Sequence, residues 1–264
     1  DRGKIYNSAA ICYDGKLQSS YDKILLPNYD VFDELRYFTS GLKPRIMKIP
    51  FQGRDINVGL QICEDLWDHN YDCKVSSIQK KLGAEMLINI SASPYHQERL
   101  MKRRSIIEEK VKALNLPFLY CNMVGAQDEL IFDGQSIAFS ENNNLIAYGN
   151  SFQEEIVIVD TDSKEGIEID FPSKLEKTYN ALCLGVKDYF FKTGHNEALI
   201  GLSGGIDSAL VASIASDALG PDKVHGISLP SKYSSDHSLK DAKSLALSLG
   251  IDYKVIPIQN SVDE

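Results

Sequence analysis

The chain has 264 residues, 43% hydrophobic and 25% charged, an ordinary globular balance with room for one large domain or two modest ones. Its formal net charge of −9 argues against a nucleic-acid surface, since a phosphate backbone favours basic faces, and no apolar run approaches the ~18 residues of a membrane span. Five scattered cysteines without a C-x-x-C pair (Cys12, Cys63, Cys73, Cys121, Cys183) suggest neither a zinc knuckle nor a disulfide framework. With no signal-peptide core in DRGKIYNSAA, a soluble cytoplasmic protein in a reducing compartment is expected.

In chain order, residues 5–159 alternate strand and helix signals. YNSAAICYDGK reads as a strand and a turn at Asp14-Gly15, a strong hairpin signal. RIMKIPFQGRDINVGLQIC reads as two strands around Gln52-Gly53-Arg54-Asp55. EMLINIS (85–91) and PFLYCNMVG (117–125) are short apolar runs suited to buried strands. Between them 96–115 reads as a helix with its stripe at Leu100, Ile107, Val111 and Leu114, and with Arg99, Lys102, Arg103, Glu108 and Lys112 turned mostly outward. QSIAFSENNNLIAYGN reads as a hairpin and EEIVIVD as a further strand.

Residues 161–174, TDSKEGIEIDFPSK, are polar and lack sustained periodicity, as a linker would. They divide a first domain, 1–160, from a second, 175–264. In the second, Leu175, Tyr179, Leu182, Val186 and Phe190 fall at helical spacing. Strand ALIGL, helix 207–219, strand 224–229, helix 236–249 and strand 251–258 follow, with Gly220 and Gly250 where helix C-caps are wanted. This alternation predicts a doubly wound parallel α/β sheet. Three strands leave its outer edge with little cover, so the chain is expected to be cut short there, and also at Asp1, close before a strand.

LIGLSGGIDSALV (199–211) carries the strongest signal. A strand ending at Gly201 must turn sharply into a helix near Asp207. Gly204 and Gly205 allow positive φ and a close backbone approach to a ligand. The helix's first N–H groups lack intrahelical acceptors and favour an anion, and Ser203 and Ser208 add hydroxyl donors. No lysine follows, which excludes the nucleotide P-loop. Asp207 would repel phosphate unless a cation such as Mg²⁺ lay between them. The same residues also suit a plain tight turn with Ser203 or Asp207 as N-cap.

SGGIDS (203–208) resembles the fingerprint of the PP-loop ATP pyrophosphatases, which implies that the loop holds the pyrophosphate end of ATP. With YNALCLGVKDYFFKTGHNEALIGLSGGIDSALVASIASDALG and LPSKYSSDHSLKDAKSLALSLGI, the chain is similar to glutamine-dependent NAD⁺ synthetases. That resemblance implies an adenine nucleotide alpha hydrolase-like second domain. It assigns ATP contacts to Gly201, Leu202, Ser203, Gly204, Gly205, Ile206, Asp207 and Ser208, and, on LPSKYSS, to Leu229 and Pro230 near the adenine. Mg²⁺ would sit at Asp207.

Cys63 ends the apolar strand in GLQICEDLWD. A lone cysteine there is more often core than nucleophile, and a working thiol needs a base or cation beside it. Lys23 could be a plain surface lysine and Glu34 a helix or turn carboxylate. DKILLPNYDVFDELRYF (22–38) nevertheless resembles the nitrilase-type carbon–nitrogen hydrolases, which have an αββα sandwich and a Glu-Lys-Cys triad with a second, supporting Glu. Lys23 matches the family lysine, Cys63 the nucleophile and Glu34 the second Glu. Tyr29, and Ser93 with Arg99 in SASPYHQER, match positions that hold the glutamine. The triad's base glutamate should lie well upstream of Lys23, in a motif absent here. Only Asp1, Asp14 and Asp22 precede Lys23 as acids, none in the family context. Either the N-terminus has been removed, the favoured expectation, or the glutaminase half is disabled.

MKRR (101–104) is expected to be a solvated face, and the five histidines form no i, i+4 metal pair. The resemblance implies glutamine, ATP and deamido-NAD⁺ as substrates, no nucleic-acid or membrane partner, and a homo-oligomer. Two rivals are another PP-loop amidotransferase, acting on a purine or a tRNA base, and a degenerate chain serving as a non-catalytic subunit.

Overall fold

The computed structural model describes residues 3–51 and 53–263. Asp1, a candidate base, and Gln52, of a predicted turn, lie outside the described residues. Two compact units divide the chain, Asp1–Val124 with Phe132–Phe171, and Gly125–Ile131 with Pro172–Glu264.

The first unit begins with the hairpin β1 (Ser8–Tyr13) and β2 (Lys16–Asp22). Asp14 and Gly15 both take positive φ, 49° and 69°, the combination a two-residue turn needs to match strand twist. There follow β3 (Met47–Phe51), β4 (Arg54–Ile62), α1 (Val75–Lys81), β5 (Met86–Ser91), α2 (Arg99–Leu114) and β6 (Phe118–Asn122). Next in the chain come the hairpin β7 (Val124–Gln127) and β8 (Leu130–Asp133), most of which falls in the second unit, then β9 (Ile137–Phe139) and β10 (Leu145–Tyr148) of the first. One six-stranded sheet runs β10-β9-β6-β5-β4-β3. Its centre, β4-β5-β6, is parallel, flanked by antiparallel β3 on one side and β9 with β10 on the other.

Both faces of this sheet are used. Leu87, Phe118, Tyr120, Ile137 and Phe139 join Ile107 and Val111 of α2 in the main core. On the opposite face Leu60 and Ile62 pack with Ala9 of β1, Tyr21 of β2 and Met47. β4 is thus covered on both sides: Ile56, Val58, Leu60 and Ile62 alternate with Gly59 and Gln61, and these too are buried. Burying each such large side chain contributes about 1.5–3 kcal/mol.

Two expectations fail here. EEIVIVD forms no strand, and Ile156 and Ile158 are 95% and 93% exposed. Its apolar pattern finds no ladder partner among the described residues, and without one the pattern alone does not make a strand. Arg103, expected to face water with the rest of MKRR, is 0% exposed. Its Nη1 donates to Asp133 Oδ1 at 2.9 Å and its Nη2 to the Ser93 carbonyl at 2.8 Å, under the Tyr120 ring. The charge is admitted to the core because a carboxylate and a carbonyl receive it.

The second unit holds α3 (Lys174–Thr193), β11 (Ala198–Gly201), α4 (Ile206–Leu219), β12 (Val224–Ser228), α5 (Asp236–Leu249), β13 (Asp252–Val255) and the short α6 (Gln259–Asp263). The sheet is parallel in the order β11-β12-β13. Small residues let α4 and α5 approach it: Ala212, Ala215, Ala242 and Ala246 share one core with Val224, Leu202 and Ile251. α3 starts at a Ser173 cap that accepts the Glu176 N–H, and packs on α4, where Tyr179 Oη donates to Asp217 Oδ2 at 2.7 Å. Gly125–Ile131 belongs to this unit through α3: the Ala126 N–H donates to Asp188 Oδ2 at 2.7 Å, and Lys192 Nζ donates to the Ala126 carbonyl.

Candidate functional sites

In the first unit the chain leaves β4 through an elbow. Cys63 has φ +41°, left-handed backbone that costs a non-glycine residue about 1–3 kcal/mol and marks over-determined sites. A 3-10 turn, Cys63–Leu66, follows. The elbow sits at the carboxyl ends of parallel strands. At the end of β5, Ser91 Oγ donates to Asn89 Oδ1 at 2.7 Å, and Asn89 Nδ2 donates to the Cys63 carbonyl at 3.3 Å.

Lys23, immediately after β2, is 1% exposed, which rejects the surface-lysine reading. Its Nζ lies 2.6 Å from Glu34 Oε1, on a short 3-10 turn, Glu34–Arg36. Glu34 Oε2 is buried without a hydrogen-bond partner. Burial pushes the Cys63 thiol above its ordinary range, the nearby Lys23 ammonium and Ser91 hydroxyl pull it down, and Glu64 and Glu34 push it further up. Asp14 sits in the hairpin turn and Asp22 accepts the Ser8 hydroxyl at 2.6 Å.

Glu64, which the sequence reading passed over, is 4% exposed. Tyr29 Oη donates to both its oxygens at 3.0 and 3.1 Å, and Tyr71 Oη to Oε1 at 3.0 Å. Burial raises the Glu64 carboxyl, and the two phenols oppose it. Burial and Glu64 together push the Tyr71 phenol up to about 12. These groups line a cavity of about 390 Å³ with Trp67, His69, Asn70 and Ile106. Arg99 stacks on Trp67 with its guanidinium carbon 5.3 Å from the ring centre, and its buried Nε has no partner. The only advance signal for Glu64 is its place beside Cys63.

Lys23, Glu34, Cys63 and Tyr29 are therefore brought together, with Arg99 at the cavity through Trp67. Of the residues expected to act here only Tyr29 lines the cavity itself, and Ser93, like Cys63, Lys23, Glu34 and Arg99, does not. It is 4% exposed, its N–H donates to Asn122 Oδ1 at 2.9 Å and its carbonyl accepts from Arg103.

In the second unit the loop 202–205 joins β11 to α4. Gly205 is the N-cap and no side chain caps the helix, so the plain turn with Ser203 or Asp207 as cap is not what forms. The two serines brace the loop instead: Ser203 Oγ and Ser208 Oγ are 3.1 Å apart, the Gly205 N–H donates to Ser203 Oγ at 3.2 Å, and Ser208 Oγ donates to the Gly205 carbonyl at 3.0 Å. The first N–H groups of α4 are left to a ligand or solvent. Of the two glycines expected at positive φ, only Gly204 has it, at +81°, while Gly205 lies at −89°. The Cβ that Gly204 lacks would fall 2.3 Å from the Ser238 carbonyl oxygen, so this glycine admits the first turn of α5.

Leu202 turns into the core, and its N–H and carbonyl are spent on Ile227 and on the Ser228 hydroxyl. Ile206 and Asp207 stand exposed, and space above Gly201 is open. Leu229 and Pro230 follow β12, whose Ile227 pairs with Gly201, and so lie at the same end of the sheet. Among the described residues no three His, Cys, Asp or Glu side chains form a metal cage. One exposed carboxylate fits Mg²⁺ held largely by phosphates and water.

A family model described as carbon-nitrogen hydrolase matches residues 1–170, and one described as NAD synthase matches residues 178–264. The chain is 38% identical to the glutamine-dependent NAD(+) synthetase of Thermotoga maritima, covering 96% of this chain and 49% of that protein. It is 41% identical to the enzyme of the same description from Synechocystis sp., covering 97% and 47%. Among solved structures it resembles the glutamine-dependent NAD+ synthetase of Acinetobacter baumannii in complex with adenosine diphosphate. The TM-score there is 0.88 and the identity 34%, over 99% of this chain and 49% of that one. The chain thus spans about half the length of the relatives it matches. No helix among the described residues is long and apolar enough to cross a membrane. With both family models matched in one chain and the likeness extending over nearly all of it, the chain belongs to the glutamine-dependent NAD(+) synthetases.

Proposed function

We propose that the chain carries the amide-releasing site and part of the ATP site of a cytoplasmic enzyme that amidates deamido-NAD⁺ with nitrogen from glutamine. The observation that carries the first half is the buried Lys23–Glu34 pair beside a cysteine on a left-handed elbow. In this reading residues 1–160 are the amidase domain, 161–174 the linker and 175–264 the nucleotide domain.

The Cys63 thiolate attacks the glutamine carboxamide carbon. Lys23, held by Glu34, and a backbone N–H stabilise the oxyanion. The proton lost by the thiol passes to the departing nitrogen as the tetrahedral adduct collapses, so the C–N bond breaks and ammonia leaves. Water then hydrolyses the thioester to glutamate. The triad's upstream base glutamate matches no residue of this sequence, so the described chain supplies the nucleophile and its cation but not that base. A free amino acid needs an anion for its ammonium and a cation for its carboxylate. We assign these to Glu64, with Tyr29 beside it, and to Arg99 with its unpartnered Nε. Ser93 belongs to the same glutamine-holding set.

In the second unit, Gly201 and residues 203–208 receive the pyrophosphate end of ATP on the α4 N-terminus, with Leu202 packing beneath and Leu229 and Pro230 flanking the adenine. Mg²⁺ at Asp207 would neutralise phosphate charge. The nicotinate carboxylate attacks the α-phosphate of ATP and expels pyrophosphate, and ammonia then displaces AMP to give the amide. A homo-oligomer belongs to the same proposal.

Cys63→Ala tests the division of labour in the full reading frame. Glutamine-driven NAD⁺ formation should fall by at least ~100-fold, while ammonium-driven formation persists. Glutamine-driven synthesis at the original rate would make Cys63 a core residue.

A further inference from the structure

Lys23 and Cys63 lie on separate segments forty positions apart in sequence, so something must fix one against the other. Asp65, two residues beyond Cys63, is 0% exposed. Its Oδ1 accepts the N–H groups of Ile24 at 3.1 Å and Leu25 at 2.9 Å, the two residues that follow Lys23. Its Oδ2 accepts the Ile62 N–H at 3.0 Å, immediately before Cys63, and the Tyr21 hydroxyl at 2.9 Å, two residues before Lys23. All four donors therefore come from the flanks of the two reacting side chains. Burial raises the Asp65 carboxyl, and the backbone donors and Tyr21 oppose that.

We propose that Asp65 is a positioning residue for the amide reaction, its carboxylate clamping the Lys23 segment to the elbow that presents Cys63. The proposal rests on the reading of Cys63 as nucleophile and Lys23 as oxyanion cation. Three backbone N–H groups cannot rotate away, and they meet both oxygens. An asparagine, however flipped, must point its NH₂ at one of these fixed donors. The segments then part by the small distance that costs an oriented reaction about 100-fold.

The test is covalent labelling of Cys63 by a diazoketone analogue of glutamine, followed by peptide mass spectrometry in the full reading frame. For Asp65→Asn the maximal labelling rate should fall by about 100-fold, while the analogue concentration giving half that rate stays within about threefold. Misalignment slows the chemistry, whereas Asp65 itself lines none of the cavity that receives the amino acid. A maximal rate near wild type, or a rise in the half-saturating concentration equal to the loss of rate, would overturn the proposal. Tyr21→Phe removes one donor and keeps the carboxylate, so it decides the matter if Asp65→Asn does not fold. It should cost several-fold in maximal rate, and an unchanged rate would overturn the clamp. Absence of labelling at Cys63 in the unmodified protein would instead sink the underlying assignment, and the proposal with it.

Discussion

Lys23 Nζ and Glu34 Oε1 lie 2.6 Å apart, with the lysine side chain 1% and the glutamate 19% exposed. A pair so enclosed is poor evidence of stability in itself, because desolvation offsets the attraction, but losing one partner strands the other. Lys23→Ala should therefore abolish the amide reaction and destabilise the first unit by about 3 kcal/mol. Urea unfolding followed within that unit checks the second figure. A loss under roughly 0.5 kcal/mol would mean that Glu34 relaxes into solvent and that the pair is not held by its surroundings.

The thiol makes its own prediction. Burial, the largest influence on Cys63, raises its pKa, and Lys23 acts against that. The thiolate fraction at neutral pH is then below that of an ordinary cysteine. Alkylation of Cys63 by iodoacetamide should rise with pH through a midpoint above the ordinary ~8.5, and Lys23→Met should move the midpoint higher still. A rate already flat at pH 7 would show a thiolate stabilised by something other than these groups.

Glu64→Gln removes the anion but keeps a similar shape beneath Tyr29 and Tyr71. If the carboxylate receives the ammonium group of glutamine, the KM for glutamine should rise at least ~10-fold, since charged hydrogen bonds contribute about 1.5–3 kcal/mol. kcat should change less. An unchanged KM would leave Glu64 as a support for the two phenols alone.

In the second unit, Gly204→Ala combines strained φ with a contact of 2.3 Å to the Ser238 carbonyl oxygen. The loop or the start of α5 must shift. ATP binding, followed by equilibrium titration, should weaken by at least ~10-fold, with labelling of Cys63 unaffected. Retained affinity would show that nucleotide binding tolerates that shift.

Legibility in the sequence followed the kind of physics involved. The Asp14-Gly15 turn, the α4 and α5 helices and the parallel pairing of β11, β12 and β13 are readable because backbone chemistry and periodicity are local. EEIVIVD misled because a strand needs a neighbour, and sequence alone does not supply one. Arg103 misled because its partner Asp133 is thirty residues away. Lys23, Glu34 and Cys63 came from resemblance, and spacing by itself would have left them as surface and core residues. Glu64 and Asp65 were passed over although both adjoin Cys63, since their meaning lies in donors from segments far along the chain.

The most direct test of the account supplies the full reading frame with ammonium, Mg-ATP and deamido-NAD⁺, and follows NAD⁺ and AMP together. The account predicts equal amounts of the two, and loss of both in Asp207→Ala. AMP without NAD⁺, or neither product from folded protein, would contradict it.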